Sequence, residues 1–139
     1  MKVNRENRRI GKDVANLLHE AMKEKRLTCG LTAAVRQLEL DPYKVAFCVL
    51  PQLTDGDRAN HIHTVLLQAF CYERNIAIIQ VENIEGLRYH TRAADCSCVV
   101  VLHPWEKGRD MCLEDHLLRR IHDFTSILQA QPIFKLPMK

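Results

Sequence analysis

The stretch VAFCVLPQLTDGDRANHIHTVLLQAFCYERNIAIIQV, residues 45–81, decides the fold. Its ends, VAFCVL (45–50) and IAIIQV (76–81), are short, rich in β-branched residues and apolar at both parities. Strands covered on both faces of a sheet read this way. The 25 residues between them begin with the polar loop PQLTDGDRAN and continue with helical spacing from about 58 to 74. That is the length of a crossover joining two parallel strands, and such crossovers are right-handed. The spacing therefore predicts a βαβ unit.

Inside the crossover, HIHTVLLQAFC (61–71) carries more apolar surface than one helix face needs. Successive helical residues advance by about 100°, so Ile62, Val65, Leu66, Ala69 and Phe70 share one stripe roughly 140° wide. This stripe is expected to face the sheet. His61 and His63 stand about 200° apart and cannot share an ion, which takes ligands at i and i+4 on a helix. Only a frayed first turn would free both imidazoles, so no metal is expected. His63, Leu67 and Cys71 follow one another around the flank and back, giving a second apolar face. A helix apolar on two sides is buried between layers or laid against a partner, and a chain of 139 residues has little left for a further layer.

Outward from this unit, CVVVL (98–102) reads as a third inner strand and PIFKL (132–136) as a proline-bounded edge strand. Ile10, Val14, Leu17, Leu18 and Ala21 mark a first amphipathic helix, with Lys and Arg on its other side. Leu31, Ala34, Val35 and Leu38 mark a short second helix that stops at Asp41-Pro42, because proline disfavours helix in the residue before it. Leu113, Leu117, Ile121, Phe124 and Leu128 line one face of a last helix. Residues 82–96 read as a loop with one helical turn. The expected fold class is α/β: a three-layer α/β/α sandwich around a central mixed sheet of about four to five strands, in a single domain over 1–139. Residues 1–9 are expected to be a flexible basic segment.

No apolar run approaches the ~20 residues of a membrane span, and MKVNRENRRIGK has no hydrophobic segment behind its charges, so neither a membrane partner nor a secretory signal is expected. A reducing compartment then makes the six cysteines buried thiols rather than bridges. The net charge of +3 is uneven. Residues 1–26 hold eight Lys/Arg against four Asp/Glu, and residues 27–139 hold 12 against 13. Such a basic segment is a solvated helix face, or else a nucleic-acid contact or import patch.

Catalytic readings fail on residue type and setting. Cys48 and Cys98 sit in strands, where burial makes a thiol inert, and Cys96 with Cys98 is half of a soft-metal set lacking its other half. Neither a glycine-rich phosphate loop nor a G-x-S-x-G elbow occurs among the five glycines. Trp105 is read as a loop residue packed on a helix.

LTCGLTAAVRQLELDPYKVAFCVL, IHTVLLQAFCYERNIAIIQVENIEGL and CSCVVVLHP resemble consecutive segments of the growth arrest and DNA damage-inducible (GADD45) stress sensors, from about residue 10 to the closing LP. The resemblance implies a fold like that of the kink-turn-binding ribosomal proteins. It also implies a non-enzymatic adaptor of nucleus and cytoplasm, without cofactors, that forms a homodimer. Its partner would be a MAP kinase kinase kinase upstream of p38 and JNK. The replication sliding clamp, a cyclin-dependent kinase and its inhibitor are further implied partners.

By position, the implied dimer interface takes in Ala33, Arg36, Gln37, Leu40, His63, Leu67, Gln68, Cys71 and Tyr72. The implied kinase contact takes in Leu53, Thr54, Asp55, Gly56 and Asp57, with Glu82, Asn83, Ile84 and Glu85. The first of these loops departs from the family's denser acidic run: Arg58 follows Asp55 and Asp57 directly, which weakens attraction to a basic kinase segment. The alternative is RNA binding as in the fold's ribosomal branch. That branch opens its second helix with a Gly-x-Asn-Glu-type run, and LTCGLTAAV has no Asn-Glu there, so nucleic acid is not the expected partner.

Overall fold

A computed structural model describes residues 2–52, 58–82, 84–93, 97–103 and 111–137. The elements run α1 (Lys2–Lys23), β1 (Leu27–Cys29), α2 (Leu31–Leu40), a 3-10 turn (Pro42–Lys44), β2 (Val45–Pro51), α3 (Arg58–Glu73), β3 (Ala77–Val81), α4 (Ile84–Thr91), β4 (Val99–Leu102), α5 (Met111–Leu128) and β5 (Ile133–Phe134). The strands form one mixed sheet in the order β1-β4-β2-β3-β5. Strand β3 runs parallel to both β2 and β5, whereas β4 is antiparallel to β1 and β2. The βαβ unit expected from residues 45–81 is β2-α3-β3, and PIFKL supplies the edge strand β5.

Side-chain alternation along the central strands divides the core between two helix layers. Phe47, Val49, Ile79, Val99 and Val101 pack against α1, α4 and α5 on one face. Cys48, Leu50, Cys98 and Val100 pack against α2 and α3 on the other. A register shift between Val45 and Phe47 lets Val45 join the second group despite its odd number.

Two elements escape sequence periodicity. Strand β1 is three residues long, too short for an alternation to register. Helix α4 occupies eight of the residues read as a loop; its buried residues include Gly86 and Thr91, which carry little apolar signal. Helix α1 begins at Lys2 and so takes in most of the stretch read as a flexible tail.

Arg26 belongs to the basic segment by sequence but is buried where α1 turns into β1. Its Nη1 donates to the Leu102 carbonyl at 2.7 Å and its Nη2 meets Glu24 Oε1 at 3.2 Å. The Leu102 amide donates back to the Arg26 carbonyl, so one residue ties the sheet edge at both its backbone and its side chain. Midway along α1, the close approach of the C-terminal segment depends on a glycine. Any Cβ on Gly11 would collide with the carbonyl oxygen of Lys135. Gly11→Ala should destabilise the protein by about 1–3 kcal/mol through overpacking, less the few tenths to ~1 kcal/mol that alanine contributes to helix propensity. Urea denaturation measures the difference.

Candidate interaction surface on the second and third helices

Helix α3 ends in a Schellman arrangement. The Ile76 amide donates to the Cys71 carbonyl at 2.8 Å and Asn75 adopts φ 58°. Asparagine tolerates this left-handed conformation better than most residues, and the turn launches β3 directly. What α3 sets against the sheet is a narrow strip. Leu67 and Cys71 are fully buried, and Cys71 Sγ lies 3.6 Å from Cys48 Sγ on β2.

That contact reverses the rotation expected from periodicity. The broad stripe expected to be core points outward: Ile62 is 59% exposed, Val65 47% and Leu66 62%, with Ala69 exposed beside them. Only Phe70 of that stripe is half-buried, with the Arg74 guanidinium 4.7 Å over its ring. Leu67 and Cys71, expected on the outer face, belong to the core. The reason is steric. Cys48, Cys98 and Val100 are short, and the short side chain of Cys71 lets the helix come down close to them. A helix apolar on both sides gives no periodicity signal for which side wins.

Helix α2 buries Ala34 and Leu38 and leaves Val35 and Leu40 exposed, the latter by 77%. Val35, expected in the core, thus lies on the open side; Ala33 and Arg36 are also exposed and Gln37 is half-buried. A cleft of about 230 Å³ runs between the two helices, lined by Leu31, Val35, His63, Leu66 and Phe70 above Leu38 and Leu67. Tyr72, 85% exposed, and half-buried Gln68 lie on the other flank of α3, beside Ile76, Ile78 and Gln80. Of the residues implied for a dimer interface, the cleft takes in His63 and Leu67, with Leu67 at the bottom rather than the top.

The implied kinase contact is described in part. Leu53 to Asp57 and Asn83 lie outside the described residues, as do Cys96 and Trp105. Glu82 is exposed just after β3, Ile84 is half-buried at the start of α4, and Glu85 is exposed in its first turn. The Gln52 amide donates to the Val81 carbonyl at 2.8 Å, so the chain leaves β2 and β3 at one end of the sheet.

Cys48, Cys71 and Cys98 are free, buried thiols. The Cys71 contact lowers the Cys48 thiol, but hydrogen bonding to Cys98, burial and the charge of Cys98 together push it far above the usual range. Hydrogen bonding to Cys48 and burial push Cys71 upward as well. Thiols held protonated in this way are poor nucleophiles. Among the described residues, no three His, Cys, Asp or Glu side chains are placed to hold a metal, and no helix is long and apolar enough to cross a membrane.

The layout is that of an α/β/α sandwich with an open apolar helix pair, and the family described as "Ribosomal protein L7Ae/L30e/S12e/Gadd45 family" matches residues 12–106. Human growth arrest and DNA damage-inducible protein GADD45 gamma is 34% identical over 114 residues, which cover 75% of this chain and 72% of the relative. Human GADD45 alpha is 36% identical over 113 residues, covering 69% and 68%, and the Bos taurus gamma protein again gives 34%. The chain belongs to the GADD45 proteins of this family.

Two substitutions one residue apart should behave oppositely. Leu67→Glu places a carboxylate in the core and should lower stability by 3 kcal/mol or more, whereas Leu66→Glu should stay within about 1 kcal/mol of the parent. Thermal melting followed by circular dichroism separates them. Ellman's reagent at pH 8 should leave Cys48, Cys71 and Cys98 unmodified in the native protein and modify all three in urea, as mapped by peptide mass spectrometry.

Proposed function

We propose that this chain is a non-catalytic stress-response adaptor that acts as a homodimer and, in nucleus and cytoplasm, binds and activates a MAP kinase kinase kinase feeding p38 and JNK. The observation that carries the reading is the outward face of α3, where Ile62, Val65, Leu66 and Ala69 are left exposed by the described residues. The relatives are named for induction by growth arrest and DNA damage, which supports placing the chain in the stress response.

The dimer contact is drawn from the exposed residues rather than from the buried ones. Val35 and Leu40 on α2 join Ile62, Val65 and Leu66 on α3, rimmed by Ala33, Arg36, Gln37, His63, Gln68 and Tyr72. A twofold axis through this patch sets like residues against each other, so each apolar side chain buried counts twice. Covering a half-exposed Leu, Ile or Val contributes on the order of 1 kcal/mol, enough for association once several are covered.

Kinase engagement is assigned to the acidic residues Asp55, Asp57, Glu82 and Glu85. They follow neighbouring parallel strands, and their charge suits a basic regulatory segment of the kinase. The sliding clamp, the cyclin-dependent kinase and its inhibitor are kept as further partners of the same adaptor. Kink-turn RNA has less in its favour: Gly30, with φ 99°, precedes Leu31 and Thr32 at the start of α2, where the RNA-binding branch sets Asn-Glu.

Light scattering should give twice the chain mass for the parent protein and the single-chain mass for Leu66→Glu. A parent protein monomeric at all concentrations, or a dimeric Leu66→Glu, would contradict the assignment. Charge reversal of Asp55, Asp57, Glu82 and Glu85 to lysine should weaken capture of the kinase's regulatory segment at least tenfold and leave the dimer mass unchanged. Undiminished capture would place the contact elsewhere.

A further inference from the structure

The opposite helix layer carries a second surface of different chemistry. On α1, residues 5, 8, 9 and 12 fall within a stripe about 100° wide at 100° per residue. They are Arg5, Arg8, Arg9 and Lys12, all exposed. Glu6 and Asp13, the carboxylates of the same stretch, turn away toward α5. There Arg120 Nη1 pairs with Asp13 and Nη2 meets Glu6 Oε1 at 3.4 Å. The acids of this segment are thus taken up internally, and its four cations make no hydrogen bond or ion pair with any described residue. Four positive charges stand along about 10 Å of helix.

Beside this ridge runs a groove of about 590 Å³ between α1 and α5. Arg5 and Arg9 form its α1 rim, and Glu6, paired with Arg120 of α5, lines it between them. Phe124 lies in its wall, and Ile127, 75% exposed, stands at its α5 lip with Asp123. An apolar wall bordered on one side by two guanidinium groups that pair with no described residue calls for an occupant with apolar anchors on one side and carboxylates on the other.

We infer that the α1–α5 groove receives an acidic amphipathic peptide segment of a partner protein, its carboxylates on Arg5 and Arg9 and an apolar side chain against Phe124 and Ile127. Charge complementarity selects the acidic partner, and the apolar wall selects peptide over nucleic acid. A sugar-phosphate backbone has nothing to set against Ile127 and would bring its charge toward Asp123, whereas a helix reading i, i+3, i+4 satisfies both sides. This surface lies across the sheet from the α2–α3 cleft, so both can be occupied in one molecule.

Fluorescence anisotropy with the full chain tests the inference. The probe is a labelled peptide of about four helical turns with Leu at i, i+3, i+4 spacing and Glu elsewhere, in about 50 mM salt. Binding should weaken at least tenfold in the double variant Arg5→Glu, Arg9→Glu and in Ile127→Ser, and hold in Lys44→Glu, an exposed charge reversal elsewhere. Circular dichroism verifies that each variant is folded. A peptide with Ser in place of Leu should bind at least tenfold more weakly, as should a duplex DNA or RNA of about two turns. The inference is overturned if no peptide binds, if the Ser peptide binds as well, if the folded variants retain full affinity, or if either duplex binds more tightly than the peptide.

Discussion

The meeting of Cys71 with Cys48 at 3.6 Å fixes how α3 is turned against the sheet. Two short side chains let α3 settle close to the sheet, with Leu67 beside the contact completing the buried strip. Close packing leaves no room for a bulkier side chain at that contact, so the wider apolar stripe has only one direction left. A bulkier residue at either cysteine would lift the helix, rotate it or both. The available outer surface therefore follows from a sulfur pair that never reaches solvent. Its thiols, Cys48 held protonated by Cys98 and burial and Cys71 by Cys48 and burial, act as small apolar packing groups rather than as reactive ones.

The sheet separates two surfaces with different physics. On the α2–α3 side, exposed apolar side chains surround a cleft, and self-association there would be driven by burial with little dependence on salt. On the α1–α5 side, a cationic ridge that pairs with no described residue borders an apolar wall, and binding there would weaken with ionic strength. The ends of β2 and β3 supply a third region, acidic where described. Arg26, just past the end of α1, ties the chain to β4, and Gly11, midway along the helix, admits the C-terminal segment against it.

Much of this was legible in residues 45–81 alone. Two doubly apolar strands and a crossover of helical spacing give the parallel pair β2–β3, and the further strand runs place β4 and β5. That α3 has apolar residues to spare was equally legible. Which side faces the sheet was not, because Ile62, Val65 and Leu66 make the broader stripe, and hydrophobic periodicity assigns the broader stripe to the core. The signal that could have turned the assignment was size: Cys71 is short, and so are Cys48 and Cys98 on the strand face opposite. Strand β1 and helix α4 were illegible for a simpler reason, since three residues carry no period and eight residues containing a buried Gly86 and Thr91 carry little apolar contrast. Arg26 reads as one more cation of a basic segment, and only the fold shows it turned inward on a carbonyl.

Carbene footprinting of the native chain, read residue by residue across protein concentration, bears most directly on the rotation of α3. In dilute solution Ile62, Val65 and Leu66 should be labelled and Leu67 spared, and labelling of those three should fall as concentration rises while Leu67 stays constant. Labelling of Leu67 in the folded protein with Leu66 protected at every concentration would contradict the account.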